Sequence, residues 1–446
     1  MQTNQESFFP WGKGLQETFG FSSFSFFFDV RFLRATSAVL IMLLAMVFPV
    51  AAQNKADLSR LVVVGDSLSA GFQNGSLLDS QQVHGYANVI AQQAGVNLNL
   101  PLIAPPGIPN VLVLVSVGPP PTLSTAPGTS VGRENPLLQT FDLAVPGANL
   151  HDVLATLPSV PIDDLTDLIL GLPGLLASQP IALSQVGWAE ALQPSTIVIW
   201  VGNEDALGAV IAADPSLLTP ASQFQTDYKT LMDDLSQTGA TLIVANIPDV
   251  TTIPFLTSAE QLAQVFGQSL NVIEALLGLG PGDVVIPDAF PIIEEILMNP
   301  LSGPLPDAFV LRAVQIAEIK TAINAYNSTI ATEAQSHGAA VVDINSLLNQ
   351  IHEHGIVVNG QRLTTSYLGG IYSLDGVHPT NTGFAIVANE FIKALNRNFD
   401  AEISPVALAP IAATDPLILP GVGHPPSALG RVDPQTLAAL RRVLVH

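Results

Sequence analysis

Short runs of consecutive apolar residues recur along the chain and predict strands that are buried on both faces. Four runs are clear: Leu61–Val64, Ile197–Val201, Leu242–Ala245 and Ala339–Val342. A weaker fifth run lies at Phe141–Val145. Five strands without polar alternation are typical of a sheet that is covered by helices on each side.

Longer segments with helical periodicity separate these runs. They lie at Tyr86–Ala94, Phe224–Gln237, Leu311–Ser336 and Gly383–Asn396. Alternating strands and helices predict a mainly parallel sheet of α/β type with helices on both faces. Catalytic groups are then expected beyond the carboxyl ends of the strands.

Three Pro-rich or Leu-rich stretches interrupt the alternation, at about 101–136, 158–180 and 278–306. We interpret them as insertions into one domain that spans 53–400, close to its functional site. The last segment, 401–446, is a Pro-rich tail that ends in a weakly helical stretch.

The N-terminal segment has the features of a secretory signal. Arg31 and Arg34 precede an apolar run of 15 residues, Ala38–Ala52, which is short of the roughly 20 residues that span a bilayer. Val50 and Ala52 fit the small-residue positions before a cleavage site. We therefore predict that 1–52 is a leader and that the mature protein is secreted or periplasmic, without a stable membrane span. The alternative is a buried core helix.

Composition narrows the possible functions. The formal net charge is −22, and it stays −22 when 1–52 is removed. Such a chain repels phosphate backbones, so we expect no nucleic-acid partner. The sequence has 0 Cys, which rules out disulfides and thiolate metal sites.

Two short motifs at opposite ends of the mature chain carry the candidate chemistry. Ser67 follows the first predicted strand, where a nucleophile and its backbone N–H can face a site. Asp375 and His378 lie three residues apart, so the carboxylate can orient the imidazole and leave its other nitrogen free for Ser67. Each motif alone is also typical of an ordinary turn or a helix cap.

Taken together, the motifs resemble the SGNH/GDSL hydrolase family. Gly65-Asp66-Ser67-Leu68 is similar to its first block and Asp375–His378 to its last, and 144–149 resembles its second block. The resemblance implies a flavodoxin-like three-layer α/β/α fold, a catalytic Ser67, Asp375 and His378, and an ester substrate without a cofactor or metal. It also implies that the backbone N–H groups of Ser67 and Gly147 bind the oxyanion.

The third block departs from the family pattern Gly-x-Asn-Asp. Read literally, Gly202-Asn203-Glu204-Asp205 puts Glu204 at the position of the oxyanion-binding asparagine. A carboxylate cannot donate a hydrogen bond unless it is protonated. We therefore predict that Asn203, one residue away, completes the oxyanion hole, with Glu204 competing for the position.

We interpret the protein as a secreted serine esterase or lipase that acts on a lipid, an acylated small molecule or a polysaccharide ester. Apolar segments 165–176 and 270–279 either line an aliphatic acyl groove or are packed core. The alternatives are a carbohydrate acetylesterase, a non-catalytic secreted binding protein and a membrane-anchored structural protein. The clusters His352-Glu353-His354 and Asp163, Asp164, Asp167 lack the spacing of a metal site.

Overall fold

The computed structural model describes residues 55–118, 121–418 and 434–444, so the predicted leader lies outside the described residues. The strands are β1 Leu61–Gly65, β2 Leu112–Ser116, β3 Thr122–Thr125, β4 Thr196–Trp200, β5 Thr241–Ala245, β6 Thr257–Ser258, β7 Val284–Val285, β8 Val310–Leu311, β9 Ala340–Val342, β10 Ile356–Val358 and β11 Gln361–Leu363.

The α-helices are α1 Asp79–Gln82, α2 Tyr86–Gln93, α3 Leu150–Ala155, α4 Leu165–Ile169, α5 Gln185–Ala191, α6 Glu204–Ile211, α7 Ala221–Ser236, α8 Ala259–Phe266, α9 Leu270–Leu277, α10 Phe290–Met298, α11 Ala313–Ser336, α12 Ile344–His354, α13 Asn381–Phe399, α14 Leu408–Thr414 and α15 Pro434–Leu444. Short 3₁₀ helices cover Gly174–Leu176, Pro215–Leu217, Val250–Thr252, Pro287–Ala289, Pro300–Ser302 and Asp307–Phe309.

A parallel sheet in the order β1-β4-β5-β9 forms the centre of the molecule. Its strands coincide with the four clear apolar runs, which confirms that part of the prediction. The predicted fifth strand is not confirmed, because 141–145 forms only an isolated bridge at Val63 and Asp142. Its backbone nevertheless runs along β1, with Leu143 N donating to Val63 O at 2.9 Å and Val145 N to Gly65 O at 3.2 Å.

Helices cover both faces of the sheet, as predicted for a three-layer α/β/α fold. Alternate residues of β1 enter different cores: Val62 and Val64 join one, Leu61 and Val63 the other. The first core is completed by α6, α7 and α11. Helices α2 and α13 complete the second. This two-sided burial explains why the strands contain so few polar residues.

The insertions differ in how independently they pack. Strands β2 and β3 form an antiparallel hairpin within 101–136. The segment predicted as the third insertion, 278–306, lies within a longer stretch, 257–311, over which β6, β7 and β8 form a small antiparallel sheet. Helices α8, α9 and α10 pack with this sheet around an apolar cluster of their own, to which Ile273 and Leu277 of the 270–279 segment belong.

The first part of the tail packs on the domain. The Asn389 side chain bonds both backbone groups of Val406, and the Asn396 side chain does the same for Ile403. Farther along, Arg441 of α15 forms an ion pair with Asp288 at 3.1 Å. The predicted tail is therefore part of the fold where it is described, and 419–433 lies outside the described residues. Within the described ranges, no helix combines the length and apolar character needed to cross a bilayer.

Candidate active site

The turn after β1 buries Ser67 at the carboxyl end of the sheet. Ser69 N and Ala70 N both donate to Asp66 O, which folds the chain back on itself immediately after the strand. Gly65 permits this close approach, because a Cβ there would lie 2.2 Å from the Ser69 Oγ and 2.9 Å from the Trp200 carbonyl oxygen. The glycine at position 65 therefore allows the turn that carries Ser67 to pack closely on the end of β4.

A second turn, just before α13, brings Asp375 and His378 to the same place. Its geometry is fixed by backbone bonds to one carboxylate oxygen: Val377 N and His378 N donate to Asp375 Oδ1, each at 2.8 Å. Thr380 closes the turn by capping α13, since its hydroxyl accepts from Gly383 N at 3.0 Å. The turn and the helix cap thus hold the imidazole rigidly.

The three side chains form a continuous hydrogen-bonded line. His378 Nδ1 lies 3.0 Å from Asp375 Oδ2, and His378 Nε2 lies 2.8 Å from Ser67 Oγ. Exposed fractions are 1% for Ser67, 0% for His378 and 2% for Asp375. The front and back ends of the domain therefore converge as the sequence motifs predict.

The surroundings of Asp375 determine which atoms carry the protons between Asp375, His378 and Ser67. Burial favours a neutral Asp375, but the neighbouring His378 and the backbone N–H donors outweigh burial and hold the pKa of Asp375 below its ordinary value. A carboxylate can only accept, so His378 carries its proton on Nδ1 and offers Nε2 as an acceptor to the Ser67 hydroxyl. This is the protonation state that a general base needs before it can accept a proton from the nucleophile.

The pair Asn74-Gly75, which belongs to none of the sequence motifs described above, supports the second turn. Gly75 N donates to Asp375 Oδ2 at 2.7 Å, and the Asn74 side chain accepts from Leu374 N at 3.0 Å. The Asn-Gly pair in the sequence is a signal for a tight turn, but not for what the turn holds. Phe72 packs against the His378 ring at a centroid distance of 4.8 Å.

The second block lies beside the first. Val145 N donates to Gly65 O at the end of β1, so 141–145 lies beside β1 where that strand ends. Gly147 then adopts φ +86°, a conformation that favours glycine, before Asn149 caps α3. Within the described chain, the backbone N–H groups of Ser67 and Gly147 have no acceptor.

The third block is arranged differently from the prediction for Asn203. Asn203 borders the same cavity as Ser67, but its Nδ2 donates to Asp66 Oδ2 at 2.7 Å. Both oxygens of Glu204 are buried and lack a partner among the described residues, as does Asn203 Oδ1. Asp205 Oδ2 accepts from Leu150 N at 2.9 Å and so ties α6 to α3.

Burial strongly raises the pKa values of the carboxyl groups in the third block and of Asp66 beside it. Desolvation raises the pKa of Asp66 to about 6 and that of Asp205 to about 6, although hydrogen bonds partly oppose it. Desolvation, followed by the charges of Asp66 and Asp205, raises the pKa of Glu204 well above its ordinary value. The Ser67 hydroxyl lies close enough to Glu204 to oppose this shift, without forming a well-aligned bond.

A small apolar cavity of about 30 Å³ adjoins Ser67. That volume suits about one or two water molecules. Most of its wall is apolar, and the described wall residues include Leu207, Pro248, Val250, Ile253, Tyr372 and Val377. Among the described residues that line it, none comes from 165–176 or 270–279. An acyl chain can enter only if some of these side chains move.

Two other predicted clusters lie away from this site. His352 and His354 end α12, where His352 Nδ1 lies 2.8 Å from the Thr365 hydroxyl. The carboxylate oxygens of Asp163, Asp164 and Asp167 lie within 4.8 Å of one another. Asp167 already accepts backbone bonds from Ser159 and Asp163. The acidic cluster is therefore explained by the hydrogen bonds with which Asp167 holds the loop before α4.

Comparison with known families decides the classification. The model for GDSL-like Lipase/Acylhydrolase proteins matches residues 61–391, most of the described domain. The chain belongs to this family. It is therefore an ester hydrolase of the esterase or lipase type, and the predicted resemblance is confirmed. No curated protein is similar enough to the GDSL-like chain to count as a relative.

Two solved structures are similar to parts of this GDSL-like chain. LAE5, an alpha/beta hydrolase enzyme from the metagenome of Lake Arreo, Spain, is 11% identical, with a TM-score of 0.36 over 76% of this chain and 96% of LAE5. An extracellular lipase from Streptomyces rimosus is 16% identical, with a TM-score of 0.32 over 76% of this chain and 98% of the lipase. Both TM-scores are low, so the family assignment rests on the match over 61–391.

Proposed function

We propose that this GDSL-family protein is a secreted serine esterase that forms an acyl-enzyme at Ser67. The observation that carries the proposal is the line of hydrogen bonds from Asp375 through His378 to Ser67, at 3.0 and 2.8 Å. Nucleophile and base are within the distance that proton transfer requires, and the base is oriented by a third group.

The reaction follows from these positions. Ser67 Oγ attacks the ester carbonyl while His378 Nε2 takes its proton, and Asp375 stabilises the resulting imidazolium. The tetrahedral intermediate collapses, His378 gives the proton to the leaving alcohol, and the acyl group stays on Ser67. Water then attacks the acyl-enzyme with His378 again as base, which releases the carboxylic acid and restores the hydroxyl.

The backbone N–H groups of Ser67 and Gly147 are the proposed oxyanion donors. Both are free of internal acceptors in the described structure, and both follow segments that are paired at the end of β1. Preorganised donors of this kind are worth about 10²–10³ in turnover each. Asn203 is a weaker candidate, because its amide already holds Asp66.

The apolar wall beside Ser67 supports a substrate with an aliphatic acyl group. Leu207, Val250 and Ile253 would pack against an acyl chain after shifting to admit it. A sugar would meet few hydrogen-bonding partners there. Rates on p-nitrophenyl esters of increasing chain length test this point. We expect the ratio kcat/KM to rise from acetate to butyrate or longer, and a preference for acetate would favour a carbohydrate acetylesterase instead.

Secretion and the domain boundaries are part of the same proposal. The signal-like run Ala38–Ala52 supports cleavage after Ala52, which leaves a mature domain over 53–400 and the tail 401–446. N-terminal sequencing of protein recovered outside the cytoplasm checks the cleavage site. Retention of the full leader in a membrane fraction would contradict it and favour an anchored protein.

A further inference from the structure

One buried acid beside the nucleophile has no task in the mechanism above. Glu204 begins α6, immediately beyond the carboxyl end of β4, and is only 6% exposed. Neither of its oxygens has a hydrogen-bond partner among the described residues. An ionised carboxylate buried in this way would be very costly, because burial without a partner removes all of its hydration.

The charged groups around Glu204 make ionisation still less favourable. Asp66 faces it from the turn after β1, and Asp205 follows it on α6. Basic side chains lie farther off: the neutral His378 ring is beyond Ser67, and Arg441 bonds the Ile211 carbonyl at the opposite end of α6. Burial without a hydrogen-bond partner and the two neighbouring acids therefore raise the pKa of Glu204 and favour its neutral form, which has an O–H to donate.

The neighbouring amide leaves this role open. Asn203 gives an N–H to Asp66, and its own carbonyl oxygen is buried without a described partner. Glu204, by contrast, lies near the Ser67 hydroxyl without a well-aligned hydrogen bond to it, and occupies the literal asparagine position of the third block. The group beside the reacting oxygen is therefore an acid where the family pattern has an amide.

We propose that neutral Glu204 is the third oxyanion donor of this enzyme. This inference rests on the proposed acyl-enzyme mechanism and adds one catalytic residue to it. The Glu204 O–H donates to the carbonyl oxygen of the ester, and the bond strengthens as that oxygen becomes negative in the tetrahedral intermediate. Glu204 keeps its proton throughout, and the bond weakens again when the carbonyl re-forms.

Steady-state kinetics of three enzymes over pH 5–10 test the proposal. Wild-type kcat should fall at alkaline pH as Glu204 ionises. Glu204→Gln keeps a neutral donor of the same shape, so its rate should stay within about tenfold of wild type and lose that alkaline fall. Glu204→Ala removes the donor and should lower kcat by about 10²–10³.

Asp205→Asn is the matched control, because it removes a neighbouring buried acid on the same helical turn. It should retain the alkaline fall, whatever its effect on stability. Thermal melts and labelling of Ser67 by a fluorophosphonate show whether each variant is folded and has a reactive serine. If Glu204→Ala does not fold, the pH profile of Glu204→Gln decides.

Three outcomes overturn the inference. The first is a Glu204→Gln variant that folds and is at least 10²-fold slower than wild type, and the second is a Glu204→Ala variant within about threefold of wild type. The third is an alkaline fall that persists in Glu204→Gln. Failure of the proposed function has a different signature, since wild-type protein would then neither hydrolyse esters nor be labelled at Ser67, and the Glu204 role would fall with it.

Discussion

Two equally buried carboxyl groups beside Ser67 are held in opposite ways. Asp375 accepts from Gly75 N, Val377 N, His378 N and His378 Nδ1. Glu204 has no described partner. The pKa of Asp375 is accordingly lowered by His378 and the backbone donors against burial, whereas burial and nearby acids raise that of Glu204. Burial alone therefore does not determine the charge of an acid in this site; the donors around it do.

The difference separates two functions within one site. The Asp375 turn is complete without a substrate, so the base is oriented before the reaction begins. The third block is incomplete: among the described residues, Glu204 and Asn203 carry buried polar atoms without a partner, and Asn203 borders the cavity beside Ser67. We expect variants of the two regions to differ in size of effect and in pH dependence.

The largest expected effect comes from the nucleophile. Ser67→Ala should lower ester hydrolysis by about 10⁴-fold or more, because the acyl-enzyme can no longer form. Ser69→Ala is the matched control, since Ser69 is also buried two residues away but bonds the Tyr86 hydroxyl at 2.9 Å. Spectrophotometric kcat/KM measures both variants, and equal losses would mean that the turn itself, and not the Ser67 hydroxyl, matters.

The next largest effect is expected from Asp375, the hydrogen-bonded acid that orients His378. Asp375→Asn removes the charge that stabilises the His378 imidazolium and should lower kcat by about 10²–10⁴-fold. KM should change little, because Asp375 does not contact the substrate. A variant that keeps more than a tenth of wild-type kcat would show that Asp375 is only a structural acceptor.

Folding stability should depend on pH with opposite signs in the two regions. The pKa of Asp66 is about 6 in the folded protein against an ordinary value of 3.8, so its contribution to stability is greatest below pH 4 and is lost as the pH rises from about 4 to about 6. The lowered pKa of Asp375 acts the other way, with stability present above pH 4 and lost on acidification.

Urea unfolding between pH 5 and 8 checks the first of these signs. Asp66→Asn should reduce the fall in stability over this range by on the order of 1 kcal/mol, because only the part of the Asp66 shift that lies above pH 5 is lost within it. Asp163→Asn, at an exposed acid, is the control and should leave the fall unchanged. An identical fall in Asp66→Asn would mean that another group causes it.

The smallest effect is expected from Asp415, a hydrogen-bonded acid that takes no part in the reaction. Asp415 accepts from Thr382 N and the Thr382 hydroxyl, each at 2.8 Å, and so fastens the tail to the start of α13. Asp415→Ala should cost about 1 kcal/mol in a thermal melt and leave kcat within about twofold. A tenfold loss of kcat would mean that this contact helps to position His378.

The buried strands could be predicted from the sequence, because apolar runs are local signals. The convergence of Ser67 with His378 could be predicted only from the resemblance of the two motifs, taken together, to a known family, because each motif alone is also typical of a turn or a helix cap. The same kind of run predicts a fifth strand at 141–145, yet this segment forms only an isolated bridge to β1, although Leu143 N and Val145 N both donate to its carbonyl oxygens. The third block could not be predicted, since the direction of the Asn203 amide depends on Asp66, a residue distant in the chain. The extent of the 257–311 insertion likewise depends on pairing between three short strands.

Labelling with a fluorophosphonate, followed by mass spectrometry of the intact protein and its peptides, tests the central claim most directly. We expect one phosphonyl group per chain, on the peptide that contains Ser67, with labelling lost in Ser67→Ala and kept in Ser69→Ala. Ester hydrolysis by an unlabelled wild-type protein, or a label on a different serine, would contradict it.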